Sequence, residues 1–294
     1  MQGTIDGFSY GAVTPAAAFL MACLGAALGL RCTTRSLRTE RSFKAGWLAL
    51  GATSIGSGIW TMHFIAMVGF SVDEVPVGYD RTITFASLAV AIVMVGVGIF
   101  LVGYRGATRM ALVTGGTVTG LGVASMHYLG MAGMRLDGQF EYDTVTVALS
   151  VVIAVVASTA ALWAAVSIHG FLPSLGASVV MAVAVSGMHY TGMAALRVHL
   201  HTSALTTGHA PGDSATSLLV PMLLGPACFL LLAGVVVMFD PLVVMGTPDW
   251  DGPVTTHRPA RGIPAQRQVP RFGTHADPAS FHSRPRDAVQ PGDW

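Results

Sequence analysis

Seven stretches of the chain keep an almost unbroken apolar character, at approximately 11–30, 45–70, 83–103, 110–134, 144–167, 175–196 and 217–239. About 20 helical residues at 1.5 Å each span the roughly 30 Å hydrocarbon core of a bilayer. The pattern therefore predicts an all-α fold, a polytopic membrane helix bundle of seven transmembrane helices. Polar connections are expected at 31–44, 71–82, 104–109, 135–143, 168–174 and 197–216, the uncharged 168–174 being a tight turn. The first ten residues lack a positively charged leader region, so the first apolar run is expected to be a retained helix.

After Asp240 the apolar pattern stops and nine prolines are spread from Pro241 to Pro291. Such a segment buries too little surface to offset its ordering entropy. The chain is thus expected to divide into a membrane domain, 1–240, and a disordered Pro/Arg-rich cytoplasmic tail, 241–294. His257, His275 and His282 in that tail are expected to be solvated. A kinase or nucleotide cyclase domain does not fit into it, and the chain is expected not to be an enzyme.

Composition supports a lipid environment. The 294 residues are 52% hydrophobic and 11% charged, against about 25% charged in soluble domains. Basic residues do not gather into a nucleic-acid-binding face, and nucleic acid is not an expected partner. They do gather on one set of connections. Arg31, Arg35, Arg38, Arg41, Lys44, Arg105, Arg109 and six tail arginines fall there, against Arg81, Arg135 and Arg197 on the other. Retention of positive charge on the cytoplasmic side predicts an outside N-terminus and an inside C-terminus. Cys23, Cys32 and Cys228 have no CxxC spacing and suggest neither zinc nor a disulfide framework.

Self-alignment exposes a repeat. GATSIGSGIWTMHFIAMVGF from Gly51, GGTVTGLGVASMHYLGMAGM from Gly115 and ASVVMAVAVSGMHYTGMAAL from Ala177 align without gaps, at offsets of 64 and 62 residues. One repeat is then a helical hairpin, plain helix first and motif helix second, and three such repeats leave the seventh helix unmatched. His63, His127 and His189 each stand seven residues before expected helix ends at 70, 134 and 196, about 10 Å below the outer boundary.

Within each motif the histidine and a methionine are i and i+4, so His63 with Met67, His127 with Met131 and His189 with Met193 share a helix face. Met62, Met126 and Met188 precede each histidine and are rotated by about 100° toward a neighbouring helix. Gly56 and Gly58, Gly120 and Gly122, and Ala182 and Ala184 would allow close helix approach. A lone histidine or methionine at such a position is ordinary packing; recurrence three times in register singles these out. Imidazole with thioether suits copper, the sulfur favouring Cu(I). The following aromatics, Phe64, Tyr128 and Tyr190, read as interfacial anchors. His199, His201 and His209 read as solvated loop residues.

Met62-His63-Phe64-Ile65, Met126-His127-Tyr128-Leu129 and Met188-His189-Tyr190-Thr191 resemble the motifs of the bacterial MHYT-domain family, over approximately residues 10–240. Only the third has the full four-letter form. The resemblance implies an integral membrane sensor domain that binds copper near the outer face through Met62, His63, Met67, Met126, His127, Met131, Met188, His189 and Met193. It also implies a diatomic gas as stimulus, oxygen, carbon monoxide or nitric oxide, and an unknown cytoplasmic signalling partner. A copper transport or delivery protein and a haem-bearing membrane redox protein are the alternative readings.

Overall fold

The computed structural model describes residues 3–7, 9–37, 41–168, 170–200 and 213–239. The tail, 241–294, and the histidines at 169, 201, 209, 257, 275 and 282 lie outside the described residues. In chain order the elements are β1 (Ile5–Asp6), α1 (Val13–Leu37), α2 (Arg41–Val68), β2 (Ser71–Val72), β3 (Gly78–Tyr79), α3 (Arg81–Arg105) and α4 (Arg109–Ala132). They continue as β4 (Met134–Arg135), β5 (Gly138–Tyr142), α5 (Thr144–Ser167), α6 (Phe171–Ala194), β6 (Leu196–Leu200), β7 (Asp213–Ser214) and α7 (Ala215–Met238).

The first six helices pack in chain order as a closed ring, each on the next and α6 back on α1, while α7 lies against α1 and α2. Among the described residues five helices are long and apolar enough to cross a membrane: α1, α3, α5, α6 and, from Leu219, α7. This is a multi-pass membrane protein. α2 and α4 are long enough, at 28 and 24 residues, but fall short in hydropathy. Many of their polar positions, Ser54, Ser57, Thr61, Thr119 and both histidines, are buried against other helices.

Close approach between helices is built on glycine. A Cβ placed on Gly56 would lie 2.8 Å from Ile92 Cα, and one on Gly120 2.5 Å from Val155 Cα. Gly25 and Gly58 face each other across α1 and α2 in the same way. Contacts this close let dispersion and backbone packing hold helices together where lipid supplies no hydrophobic drive.

Helix limits depart from the hydropathy pattern at both ends of the bundle. α1 runs on to Leu37 and α2 starts at Arg41, so most of the expected 31–44 loop is helical. Thr33 and Ser36 are buried there and return their hydroxyls to the Gly29 and Thr33 carbonyls. The starts of α3, α4 and α5 are set by side-chain caps that hydropathy does not register: Asp80 accepts from Ile83 N–H, Thr108 from Ala111 N–H and Asp143 from Thr146 N–H.

The motif helices end at Val68, Ala132 and Ala194, two residues earlier than expected, because the chain turns there into strands. The connections expected to be plain loops form three small antiparallel sheets, β1–β2, β4–β3–β7 and β5–β6. β6 alternates, with Leu196, Val198 and Leu200 inward and Arg197 and His199 outward. Its inward face joins Phe70, Val72, Val77 and Tyr79 in one apolar cluster with Phe64, Met67 and Met131 of the motif helices. The N-terminal segment adds to this cap, with Gly3 N–H donating to Val198 O and Asp73 N–H to Thr4 O. His199 lies on the solvent side, 2.9 Å from Glu141.

Asp80 links cap and bundle, since its second oxygen accepts from Arg135 at 3.2 Å. The Ile83 N–H, and after it the Arg135 guanidinium, hold its carboxyl below the usual aspartate range. A depressed folded-state pKa contributes stability that is present above the unfolded value, about 3.9, and is lost as pH falls through the folded one. Melting temperature in detergent should therefore drop on acidification below about pH 4, and Asp80→Asn should flatten part of that drop. An unchanged acid profile in the variant would show that this pair does not couple folding to pH.

Candidate functional site

Each motif helix delivers one imidazole to the axis of the ring. His63, His127 and His189 stand five residues before the ends of α2, α4 and α6, about 7.5 Å along each helix and directly under the strand cap. All three are at most 1% exposed. Their Nδ1 atoms form a triangle, with edges of 3.0 Å between His63 and His189, 3.1 Å between His127 and His63, and 3.3 Å between His189 and His127. The rings meet nearly at right angles, at 82° to 88°, as three blades around one centre.

Hydrogen bonding alone cannot satisfy this triangle. Each Nδ1 offers either one N–H or one lone pair. With three atoms and two states, at least two must be alike, and one edge opposes lone pair to lone pair or proton to proton at about 3 Å. A cation at the centre removes the conflict, because all three atoms then turn lone pairs inward. The observed edges put each nitrogen about 1.8 Å from the common centre, a few tenths of an ångström inside ordinary metal–imidazole bonds of about 2.0–2.1 Å. The residues present thus fit a single first-row metal ion.

The site carries no compensating anion. Among the described residues no carboxylate is buried, and the three imidazoles are the only buried side chains able to bear positive charge. Each ring is also held by the aromatic that follows it: Phe64 lies 4.6 Å from His63, Tyr128 4.8 Å from His127 and Tyr190 5.0 Å from His189, all close to edge-on. Tyr128 is itself fixed by a hydrogen bond to Ser150. Of these aromatics, expected as interfacial anchors, Phe64 is fully buried beneath the cap, while Tyr128 and Tyr190 are part-exposed.

The methionines divide. Met67, Met126, Met131 and Met193 belong to the apolar cluster under the cap. Met188 joins the cluster at mid-bundle and Met62 the one between α1, α2 and α6. The rotation of about 100° between adjacent helical residues turns Met62 and Met188 away from the i+4 methionines, whereas Met126, with the same rotation, still meets the cluster under the cap.

Two residues escaped the motif reading. A Cβ on Gly130 would lie 2.5 Å from His63 Nε2, and one on Gly192 2.3 Å from His127 Nε2. The imidazoles of His63 and His127 therefore each rest on the glycine three positions after the next repeat's histidine. The Nε2 atoms of His63 and His127 are buried against these glycines without a hydrogen-bond partner. The signal was present as His-x-x-Gly in two repeats; Ala66 fills the equivalent position in the first.

Comparison with known proteins agrees with this geometry. The model of the MHYT family, a bacterial signalling protein N terminal repeat, matches residues 56–115 and 120–178. The two matched units begin 64 residues apart, the spacing of His63 and His127. The chain is 36% identical over 217 residues to the bifunctional diguanylate cyclase/cyclic di-GMP phosphodiesterase MucR of Pseudomonas aeruginosa, covering 72% of this chain and 32% of MucR. It is 34% identical over 224 residues to the cyclic di-GMP phosphodiesterase NbdA of the same organism, covering 72% and 28%. To the signaling protein YkoW of Bacillus subtilis it is 32% identical over 189 residues, covering 61% and 23%. The chain thus spans about a third or less of the length of these relatives. No solved structure matches it.

The glycine contacts make a paired prediction. Gly192→Ala should displace the His127 ring and cost about 1–3 kcal/mol through overpacking. Gly187→Ala, earlier on the same helix and facing open space, should instead stabilise by about 0.5–1 kcal/mol through helix propensity. Thermal melts of the two variants check this, and equal effects would refute the packing role of Gly192.

Proposed function

Because the chain belongs to the MHYT family of bacterial signalling-protein repeats, we propose that it is a membrane sensor whose three histidines hold one copper ion, with a diatomic gas as stimulus. The observation that carries this reading is the Nδ1 triangle, a buried set of three donors that cannot satisfy itself. Copper in the Cu(I) state suits it best. Three neutral nitrogens leave a monovalent ion with one uncompensated charge and a divalent ion with two, in a medium where each is expensive. The methionines packed under the cap add soft thioethers to the same environment and favour the same state.

Bound copper would supply an open coordination position for oxygen, carbon monoxide or nitric oxide. The protein's part is to hold the three imidazoles in register, to exclude water with the strand cap, and to link α2, α4 and α6 through one centre. A ligand shifts a packing equilibrium only by its differential affinity for the two arrangements, and three helices meeting at a single point give it that leverage. Signal would pass to a cytoplasmic partner. The cyclic di-GMP activities named for MucR and NbdA suggest that such a partner handles a cyclic dinucleotide.

The same reading includes seven spans from three helical hairpins plus α7, with α2 and α4 crossing as members of the ring beside their more apolar neighbours. It sets the N-terminus outside and the C-terminus in the cytoplasm. Arg31 over Phe171, Arg35 over Trp47 and Lys44 over Tyr104, at 4.8 to 5.6 Å, support a basic and aromatic belt on the cytoplasmic face, opposite the strand cap. Copper transport finds less support. The cavity below the histidines is lined mainly by Ala, Ile, Leu and Val, and its two thioethers, Met181 and Met188, find no imidazole, thiol or carboxylate among the lining residues to complete a second ligand set. A haem between two of the rings would have to separate nitrogens that stand about 3 Å apart.

Elemental analysis of detergent-purified protein should find one copper per chain, with none in the His63→Ala/His127→Ala/His189→Ala variant at unchanged helical circular dichroism. Stoichiometric copper retained by the triple variant would reject the site.

A further inference from the structure

Below the imidazoles lies a second feature, a cavity of about 60 Å³ lined by residues of all six ring helices. Its upper tier is Ile59, Val123 and Val185, each four residues before a histidine, and its next tier is Ile55, Thr119 and Met181, one turn further on. The cavity therefore shares the axis of the triad and begins one helical turn beneath it. The remaining lining is aliphatic apart from Met188 and two hydroxyls, of Thr33 and Ser158.

We propose that this cavity is a binding site for a small apolar molecule, of the size of a diatomic gas or a xenon atom, separate from the histidines themselves. Size and chemistry both point there. One water needs roughly 10–15 Å³ of such volume, and an apolar cavity of roughly 150 Å³ takes benzene; about 60 Å³ lies between, enough for a guest of a few atoms. Water is a poor occupant because it requires two to four polar partners. The Thr33 hydroxyl is already given to the Gly29 carbonyl, and Thr119 Oγ1, buried without a partner and packed against Gly98 of α3, offers a water one hydrogen bond, short of the two to four it needs. An apolar guest meets no such requirement and regains the dispersion contacts that an empty volume forfeits.

A guest here touches α2, α4 and α6 one turn from their imidazoles, and so acts on the spacing of the three helices without bonding to a metal. This deepens the gas-sensing reading and rests on it for the natural ligand alone. The site itself is a property of the metal-free protein.

Xenon is the probe. Xenon-pressurised crystals of the metal-free protein should show an ordered xenon between the Ile59 and Ile55 tiers. Ala26→Leu and Ala161→Leu, which fill the cavity from α1 and α5, should each lose it. Thr119→Val, which keeps the shape and removes the unpartnered hydroxyl, should retain it. Ordered water in place of xenon, a lipid chain in the cavity, or xenon undiminished in both filled variants would overturn the proposal. Should either filled variant fail to fold, the other and the wild type still decide. Because copper is absent throughout, a missing xenon leaves the histidine site untouched, and a copper-free protein that binds xenon leaves the cavity standing.

Discussion

Three imidazoles that cannot all be hydrogen-bonded to one another are held within 3.3 Å in the interior of a membrane protein, and the surrounding architecture follows from that requirement. An unsatisfied polar group away from water costs on the order of 1–3 kcal/mol. The arrangement persists because the neighbouring structure leaves the rings nowhere else to go. Each is flanked edge-on by its own aromatic, and those of His63 and His127 are stopped by a glycine of the next repeat. The strain is local, and the closed ring of helices and the strand cap bear it.

The low hydropathy of α2 and α4 belongs to the same design. Helices that approach others across glycine and carry hydroxyls and imidazole to an axis cannot also present a uniformly apolar surface. In a bilayer that composition is tolerated only where such faces are turned to other helices. In the ring α2 and α4 alternate with the more apolar α1, α3 and α5, which with α6 and α7 are the spans that the apolar count singles out.

Below the triad the same threefold placement produces the axial cavity. Residues four and eight positions before each histidine face the axis because they lie one and two turns back on the same helix face. Ile, Val and Met there are too large to let the helices close further, yet they do not fill the centre. The metal-like site and the apolar volume are thus consecutive layers of one packing arrangement, the upper polar because each repeat places a histidine there and the lower apolar because it does not.

Much of this was legible in the chain. The apolar runs named every helix, missing their limits by four residues or fewer except at the end of α1, which runs seven residues further to Leu37, and the register of the three motifs put each histidine on an equivalent face. The His-x-x-Gly spacing and the alternation of Leu196 to Leu200 were also readable, but their meaning depended on what lay opposite. What the sequence by itself determined is local: which segments are apolar enough to leave water, and which residues recur at the same helical phase. Only the tertiary structure decided that Nδ1 rather than Nε2 faces the centre, that Gly130 and Gly192 seat the neighbouring rings, and that strands cap the site. The reason is physical. Helical phase follows from the 3.6-residue period within one segment, whereas contact across segments depends on interhelix distances set jointly by every residue at the interface.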